Sequence, residues 1–339
     1  MVRYIKRLLI LLGGGFLLFA ASAAWLIWVA SAAVPLELNP RGVVNFDIRP
    51  GLGLKGAAHE MTKAGVGIVP WRFALLGRLS GRDRNIQAGS YEVAAGVTAW
   101  QLLDKLTAGD VTQAALVIVE GKTFRDLRAQ LDANPDLRHD TAGLSDAEIL
   151  RRIGAPEAHP EGLFFPDTYL FARQSSDLAI LSRAYAAMGR RLADAWEKRD
   201  PVVPYRNMSE ALVMASIVEK ETGRAEDRAK VASVFVNRLK RGMLLQTDPT
   251  VIYGLGERFD GNLRKRDLET DTPWNTYTRA GLPPTPIALP GMASIEAALN
   301  PPPTDFLYFV ARGDGSSVFS RTLEAHNRAV NQYQRSGKQ

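Results

Sequence analysis

One uncharged run near the N-terminus limits this chain more than any other feature. From Leu8 to Ala30 the sequence LLILLGGGFLLFAASAAWLIWVA has no charged side chain. As a helix it is about 35 Å long, enough to cross a bilayer with some tilt. Arg3, Lys6 and Arg7 precede it, so the positive-inside bias puts the N-terminus in the cytoplasm and the rest of the chain outside. Trp25 and Trp28 suit the outer interface. Ala30-Ser31-Ala32 resembles a signal-peptidase site, but the run exceeds the ~7–15 residues of a signal core. A retained single-pass anchor is therefore the expectation, and on either reading the bulk of the chain is exported.

Export reframes the charge. The net charge of +6 would by itself point to an anionic partner, nucleic acid included. For an exported chain a nucleic-acid role is not expected, and much of the excess is Arg spread along helices. The absence of cysteine excludes disulfides, thiolate metal sites, a Cys nucleophile and an N-terminal lipoprotein anchor. His59, His139, His159 and His326 are scattered without metal-ligand spacing, so no metal is expected. There is no G-x-S-x-G elbow and no phosphate-binding Gly-rich loop.

Beyond the anchor the expected class is α+β, with helices outnumbering strands. Residues 1–7 read as a cytoplasmic tail, 8–30 as the transmembrane helix and 31–42 as a linker. VVNFDI (Val43 to Ile48) alternates as a strand, and Leu54, Ala57, Ala58 and Met61 recur at helical spacing. Trp71 to Leu79 reads as a second helix and IQAGSYEV as a returning strand. Strand, helix, helix, strand resembles a LysM module, a small fold that grips peptidoglycan glycan; 43–112 is assigned to such a subdomain.

Residues 113–200 read as a connecting region. It holds a strand ending in IVEG, a helix capped by Thr123, another capped by Ser145, the aromatic connection EGLFFPDTYLF, and a long helix ended by Asp200-Pro201. Residues 201–335 form the last expected domain. SEALVMASIVEKETG reads as a helix from an N-cap at Ser209 to a stop at Gly223, and DRAKVASVFVNRLKRG as its successor, stopped by Gly242. LLQTDPTVIYGLG reads as a turn and a short apolar segment, and a long Pro/Gly stretch, a short helix, two strands and a closing helix follow.

ASIVEKETG holds the chemistry. On a helix Glu219 and Glu221 lie about 200° apart, so they cannot face each other across one bond as a glycosidase pair must. Only one can look into a given cleft. The small neighbours Ala215 and Ser216 would leave room for a ligand beside Glu219. A carboxyl group in apolar surroundings is pushed toward its neutral form, which a general acid requires. The alternative is that both glutamates pair with nearby bases such as Lys220, Arg224 or Arg228. Gln246, Asp248, Asn275 and Tyr277 fall in loops and offer carboxamides and an aromatic face for a saccharide.

VASVFVNRLKRGMLLQTDPTVIYG, LETDTPWNTY, GLPPTPIALPG, LYFVA and FSRTLEAHNRAV, following ASIVEKETG and with EGLFFPDTY upstream, resemble the endolytic murein transglycosylase family (MltG, YceG-like). The resemblance runs from about Val43 to Tyr333. It implies a lyase that cuts the β-1,4 bond between N-acetylmuramic acid and N-acetylglucosamine and leaves a 1,6-anhydro end. It implies Glu219 as the single catalytic acid, Glu221 as a structural or positioning group, and Gln246, Asp248, Asn275 and Tyr277 as substrate contacts. It also implies one membrane helix, a cytoplasmic (inner) membrane location with the catalytic domain in the periplasm, no cofactor, and peptidoglycan synthases (penicillin-binding proteins) as neighbours. Leu289, Ser317 and Ala325 depart from the family's common Asn, His and Glu. The rival readings are a non-catalytic peptidoglycan-binding scaffold and a hydrolytic muramidase with Asp248 as second carboxylate.

Overall fold

The computed structural model describes residues 28, 30–40, 42–49, 51–111 and 113–335. The expected membrane span lies outside the described residues except for Trp28 and Ala30. Among the described residues no helix is long and apolar enough to cross a membrane. The chain divides into two compact units, one reaching to Ala114 with Leu170–Ser175 added, the other Ala115–Tyr169 with the chain from Ser176 onward.

The first unit follows the expected order. Strand β1 (Val43–Ile48), helices α1 (Leu54–Lys63) and α2 (Pro70–Leu79) and strand β2 (Gly89–Ala94) succeed one another, and a further helix α3 (Ala99–Ala108), not among the expected elements, follows. β1 and β2 pair antiparallel, and Phe46 stands opposite Tyr91 with the rings stacked 5.6 Å apart. The period of two buries Val44, Phe46 and Ile48 on one face. Leu54, Ala57, Ala58 and Met61 cover that face from α1. Gly77 lets α2 close on α1, since a Cβ there would lie 2.0 Å from Leu54 Cδ2. Helix α3 opens on a capping box between Thr98 and Gln101 and adds Leu102, Leu103 and Leu106 to the core.

The segment read as a linker is not loose. Ala33 bridges to Thr98 and Leu36 to Val66. Val34 N donates to Val97 O (2.8 Å), Gly67 N to Pro35 O (2.7 Å) and Glu37 N to Gly65 O (2.9 Å). Backbone groups on both sides are satisfied by this pairing, which periodicity of side chains could not announce.

The chain crosses between units within β3 (Gln113–Val117), which leads to α4 (Phe124–Asp132), β4 (Leu137–Arg138) and α5 (Asp146–Ile153). It crosses back and forth in β5 (Thr168–Ala172) and β6 (Ser175–Ser176) before the long α6 (Asp177–Glu197). Then come α7 (Met208–Glu221), α8 (Ala225–Lys240), α9 (Asp248–Leu255), α10 (Lys265–Glu269), α11 (Met292–Leu299), the antiparallel pair β7 (Tyr308–Ala311) and β8 (Ser317–Ser320), and α12 (Leu323–Val330).

Helix α7 is the axis of the second unit. Every residue from Ala211 to Val218 is buried, and α6, α8, α9 and α11 pack around it. A helix that is apolar all round is one enclosed on all sides. Phe165, Met188, Leu192 and Ala195 share its core.

Two local expectations are corrected. The α7 N-cap is Asn207, whose Oδ1 accepts from Glu210 N at 3.0 Å, rather than Ser209. DPTVIYGL is a helix (α9), started by Pro249 in its first turn and placed by packing against α7.

Candidate active site

Glu219 stands near the C-terminal end of α7, just past the stretch that is buried all round. Its Oε2 accepts from Gly291 N at 3.0 Å. Gly291 is the N-cap of α11, so the carboxylate meets backbone N–H left free by the start of that helix. Gly121 lies on the other side: a Cβ there would be 3.8 Å from Glu219 Cγ, and its φ of +75° is one that glycine adopts without strain.

Two loops meet at this point. Gly121 N donates to Leu289 O (2.9 Å), and Leu289 N donates to Lys122 O (2.7 Å). Leu289 is fully buried, so the residue that departs from the family's common Asn serves here as apolar packing and backbone pairing. Ser216 fixes the same loop from below, its Oγ accepting from Ile287 N at 2.9 Å and donating to Val213 O at 2.7 Å. The space expected beside Ala215 and Ser216 for a ligand is therefore filled by protein; both residues are fully buried.

The expected alternative, that basic neighbours neutralise the two glutamates, fails for each base. Lys220 Nζ donates to Gly121 O at 3.1 Å, and Arg224 pairs with Glu226. The charge of Arg228 acts on Glu120. Among the described residues no ion pair holds Glu219.

Glu120, which carried no role in the sequence reading, turns toward Glu219. A Cβ on Gly291 would lie 1.9 Å from Glu120 Oε1, so this carboxylate occupies the space that glycine leaves open. Burial pushes the Glu120 carboxyl above its ordinary range, the charge of Glu219 pushes the same way, and Arg228 opposes both. The IVEG strand end placed an acid before a glycine, but only the fold brings it to α7.

Glu221 points to a different set of residues, as the helical angle required. Thr247 Oγ1 donates to its Oε1. Burial is the main force raising its carboxyl, with Asp248 adding to the rise and the Thr247 bond and Arg238 opposing it. Tyr277 OH donates to Asp248 Oδ1 at 2.5 Å. Arg238 is buried and donates to Leu307 O (2.7 Å) and Leu245 O (2.8 Å). Asp248 and Tyr277, expected as substrate contacts, thus gather with Glu221 and not with Glu219.

Asn275 is fully buried. Its Nδ2 donates to Leu268 O (2.9 Å) and Thr270 O (2.7 Å), and its Oδ1 accepts from Tyr277 N (2.8 Å). These bonds shape its own loop. Gln246 is exposed, adopts φ +50°, and donates its N–H to Thr276 O at 3.1 Å.

A groove of about 1040 Å³ runs through the second unit, and Lys220, the residue after Glu219, is one of its walls. Tyr253, Trp274 and Phe124 bring aromatic faces, and Arg125, Arg128 and His159 bring basic groups. Glu161 lines it with only 3% of its surface exposed. Burial pushes its carboxyl up to about 7, against bonds from Phe124 N (3.0 Å to Oε1) and Tyr253 OH (3.1 Å to Oε2).

The YceG-like family profile matches residues 46–332. This chain belongs to the YceG-like family. A Bacillus subtilis protein named endolytic murein transglycosylase is 33% identical, over 96% of this chain and 91% of that protein. A Streptococcus pneumoniae protein of the same name is 27% identical, over 89% of this chain and 60% of its own length. The crystal structure of a YceG-like protein from Listeria monocytogenes is 32% identical, with a TM-score of 0.54, covering 85% of this chain and 99% of that one. The matched span includes Glu120, Gly121, Glu219 and Gly291.

Proposed function

We propose that this YceG-like protein is a peptidoglycan lytic transglycosylase with Glu219 as its catalytic acid. The observation that carries the reading is the state of Glu219: oriented by one backbone N–H, held by no ion pair among the described residues, and followed by Lys220, a wall of the large groove. The names of the relatives give the substrate class. The aromatic walls suit sugar faces, and the basic groups suit the carboxylates that peptidoglycan carries.

One acid is enough for such a lyase. Neutral Glu219 gives its proton to the glycosidic oxygen as the C1–O bond of N-acetylmuramic acid breaks. The muramyl 6-hydroxyl then bonds to its own C1, and the Glu219 carboxylate takes the hydroxyl proton. The product is a 1,6-anhydro end, no water is consumed, and the acid is restored. The N–H of Gly291 holds the carboxylate in one orientation through both steps. Glu221 acts at one remove, by fixing the loop of Thr247 and Asp248.

A second reading is favoured by a specific neighbour. A hydrolytic muramidase needs a second carboxylate to place water. Glu120 is the one that faces Glu219, and it replaces Asp248 in that reading. Mass spectrometry of products from uncross-linked glycan strands separates the two, because a reducing end carries one more water than an anhydro end. Internal cuts with anhydro ends, lost in Glu219→Gln, support the lyase. Reducing ends transfer the reaction to the Glu120–Glu219 pair, and strands bound but uncut support a scaffold.

The uncharged run of Leu8 to Ala30 supports an inner-membrane location with the folded units in the periplasm as part of this reading. An internal cutter held there acts on glycan near the membrane, where new strands emerge beside the synthases, and limits their length. Release of the folded units from the anchor is expected to change the length distribution of strands in cells; an unchanged distribution counts against this role.

A further inference from the structure

The first unit carries an apolar stripe that the site does not use. On α2, Trp71 is 56% exposed, Leu75 36% and Leu79 69%, while Phe73, Ala74, Leu76 and Gly77 form the buried face. At 100° per residue the three exposed side chains fall within about 80° of one another. Arg78 lies about 20° to one side of Trp71, and Arg72 flanks the stripe on the other, its guanidinium 5.4 Å from the Trp71 ring centre. Exposed Arg84 follows the helix. An apolar stripe with aromatic and leucine side chains edged by arginine is the pattern of a helix lying in a membrane interface.

The place of the stripe in the chain indicates which surface covers it. Ala30, the last residue of the uncharged run, is 3% exposed and belongs to the core of this unit. A cavity of about 220 Å³ is lined by Ala30 and Ala33 together with Val69 and Phe73, so the exit from the run lies beside the start of α2. The backbone pairing of 33–37 with 65–67 and 97–98 leaves no slack between them. A run that crosses a bilayer must therefore hold this unit against the outer face of that bilayer.

We propose that α2 lies on the anionic phospholipid surface of the membrane that anchors the chain, with Trp71, Leu75 and Leu79 at the acyl–headgroup boundary and Arg78 and Arg84 among the phosphates. The proposal rests on the anchor reading above. The bilayer then fixes the first unit at two points, the span and the interfacial helix, and removes its freedom to swing about the span.

The test uses the full-length chain, which has no cysteine to interfere. Leu18→Cys, Leu79→Cys and Ala95→Cys are each labelled with an environment-sensitive fluorophore and reconstituted in phosphatidylethanolamine–phosphatidylglycerol vesicles containing a doxyl-lipid quencher. Leu79 and Ala95 are exposed, so the substitutions are tolerated. The expected result is loss of fluorescence at positions 18 and 79 and none at 95, with the loss at 79 smaller in neutral phosphatidylcholine. Quenching at 18 without quenching at 79 overturns this proposal and leaves the anchor standing. Absence of quenching at 18 overturns the anchor and this proposal with it. A label at 79 shielded from aqueous iodide yet not quenched by lipid means that a second copy covers the stripe, and also overturns it.

Discussion

Glu120 and Glu219 direct their carboxylates at one glycine: Gly291 donates its N–H to Glu219, and its missing Cβ leaves the space that Glu120 fills. A second negative charge is disfavoured where two carboxylates converge, and the Glu120 carboxyl is raised by Glu219 on top of its burial.

Replacement of Glu120 by Gln keeps its size and removes its charge. Glu120 is held above its ordinary range by burial first and by Glu219 second. Without that carboxyl group the rate of cutting is expected to fall far less than in Glu219→Gln. Rates of cutting of uncross-linked strands by the two variants check this. A loss as large as that of Glu219→Gln means that Glu120 itself takes part in the reaction. In Glu219→Gln the amide oxygen still accepts from Gly291 N, and loss of a general acid is expected to cost about 10²–10⁴ in rate.

Gly291→Ala isolates the geometry. Gly291 has φ −78°, which alanine adopts freely, so strain is not the issue. The new methyl would lie 1.9 Å from Glu120 Oε1 and must push that side chain away. Because Glu120 is exposed, the displacement is expected to cost less than about 1 kcal/mol of stability. Activity should follow Glu120→Gln. A variant with wild-type activity removes any role for the contact.

Glu161 links pH to stability. Its carboxyl rises from 4.5 to about 7 in the folded protein, so the folded state keeps a proton that the unfolded chain has released. Stability is therefore highest at low pH on this account and falls as pH climbs from about 4.5 to 7, by about 3 kcal/mol in all. Gln at 161 keeps the size without titrating, and its one amide oxygen, in the place of Oε2, can accept from Tyr253 OH and Phe124 N. Urea denaturation of the two proteins at pH 5 and pH 8 should show Glu161→Gln gaining on the wild type at the higher pH. A constant difference contradicts the raised carboxyl.

Asn275→Ala tests a role in shape against a role in binding. Removal of the side chain orphans the Leu268 and Thr270 carbonyls and the Tyr277 N–H, and a loss of about 3 kcal/mol is expected. Denaturation measures the loss. Full stability with lost glycan binding would show instead that the amide meets substrate.

Local rules made much of this fold legible. Alternation in VVNFDI gave β1 to the residue, and 54, 57, 58 and 61 gave the buried face of α1. Thr123 and Ser145 cap the helices they precede because each side-chain oxygen reaches the N3 amide. Where two signals competed, at Asn207 and Ser209, the choice depended on where α7 is gripped by its neighbours. Helix α9 was hidden because its sequence is too short and too evenly apolar for a period to show; packing against α7 decides it.

The sequence by itself determined that Glu219 and Glu221 must part company, because residues two apart on a helix point to opposite sides. It also determined, through motifs spread from 46 to 332, the family of the chain. Only the tertiary structure decided what each acid meets. Glu120 is nearly a hundred residues from Glu219, and Gly291 over seventy, and no local periodicity records a contact between loops so far apart. Side-chain pattern is set within a few residues, whereas the charge and orientation of a carboxyl group are set by whatever packing brings beside it.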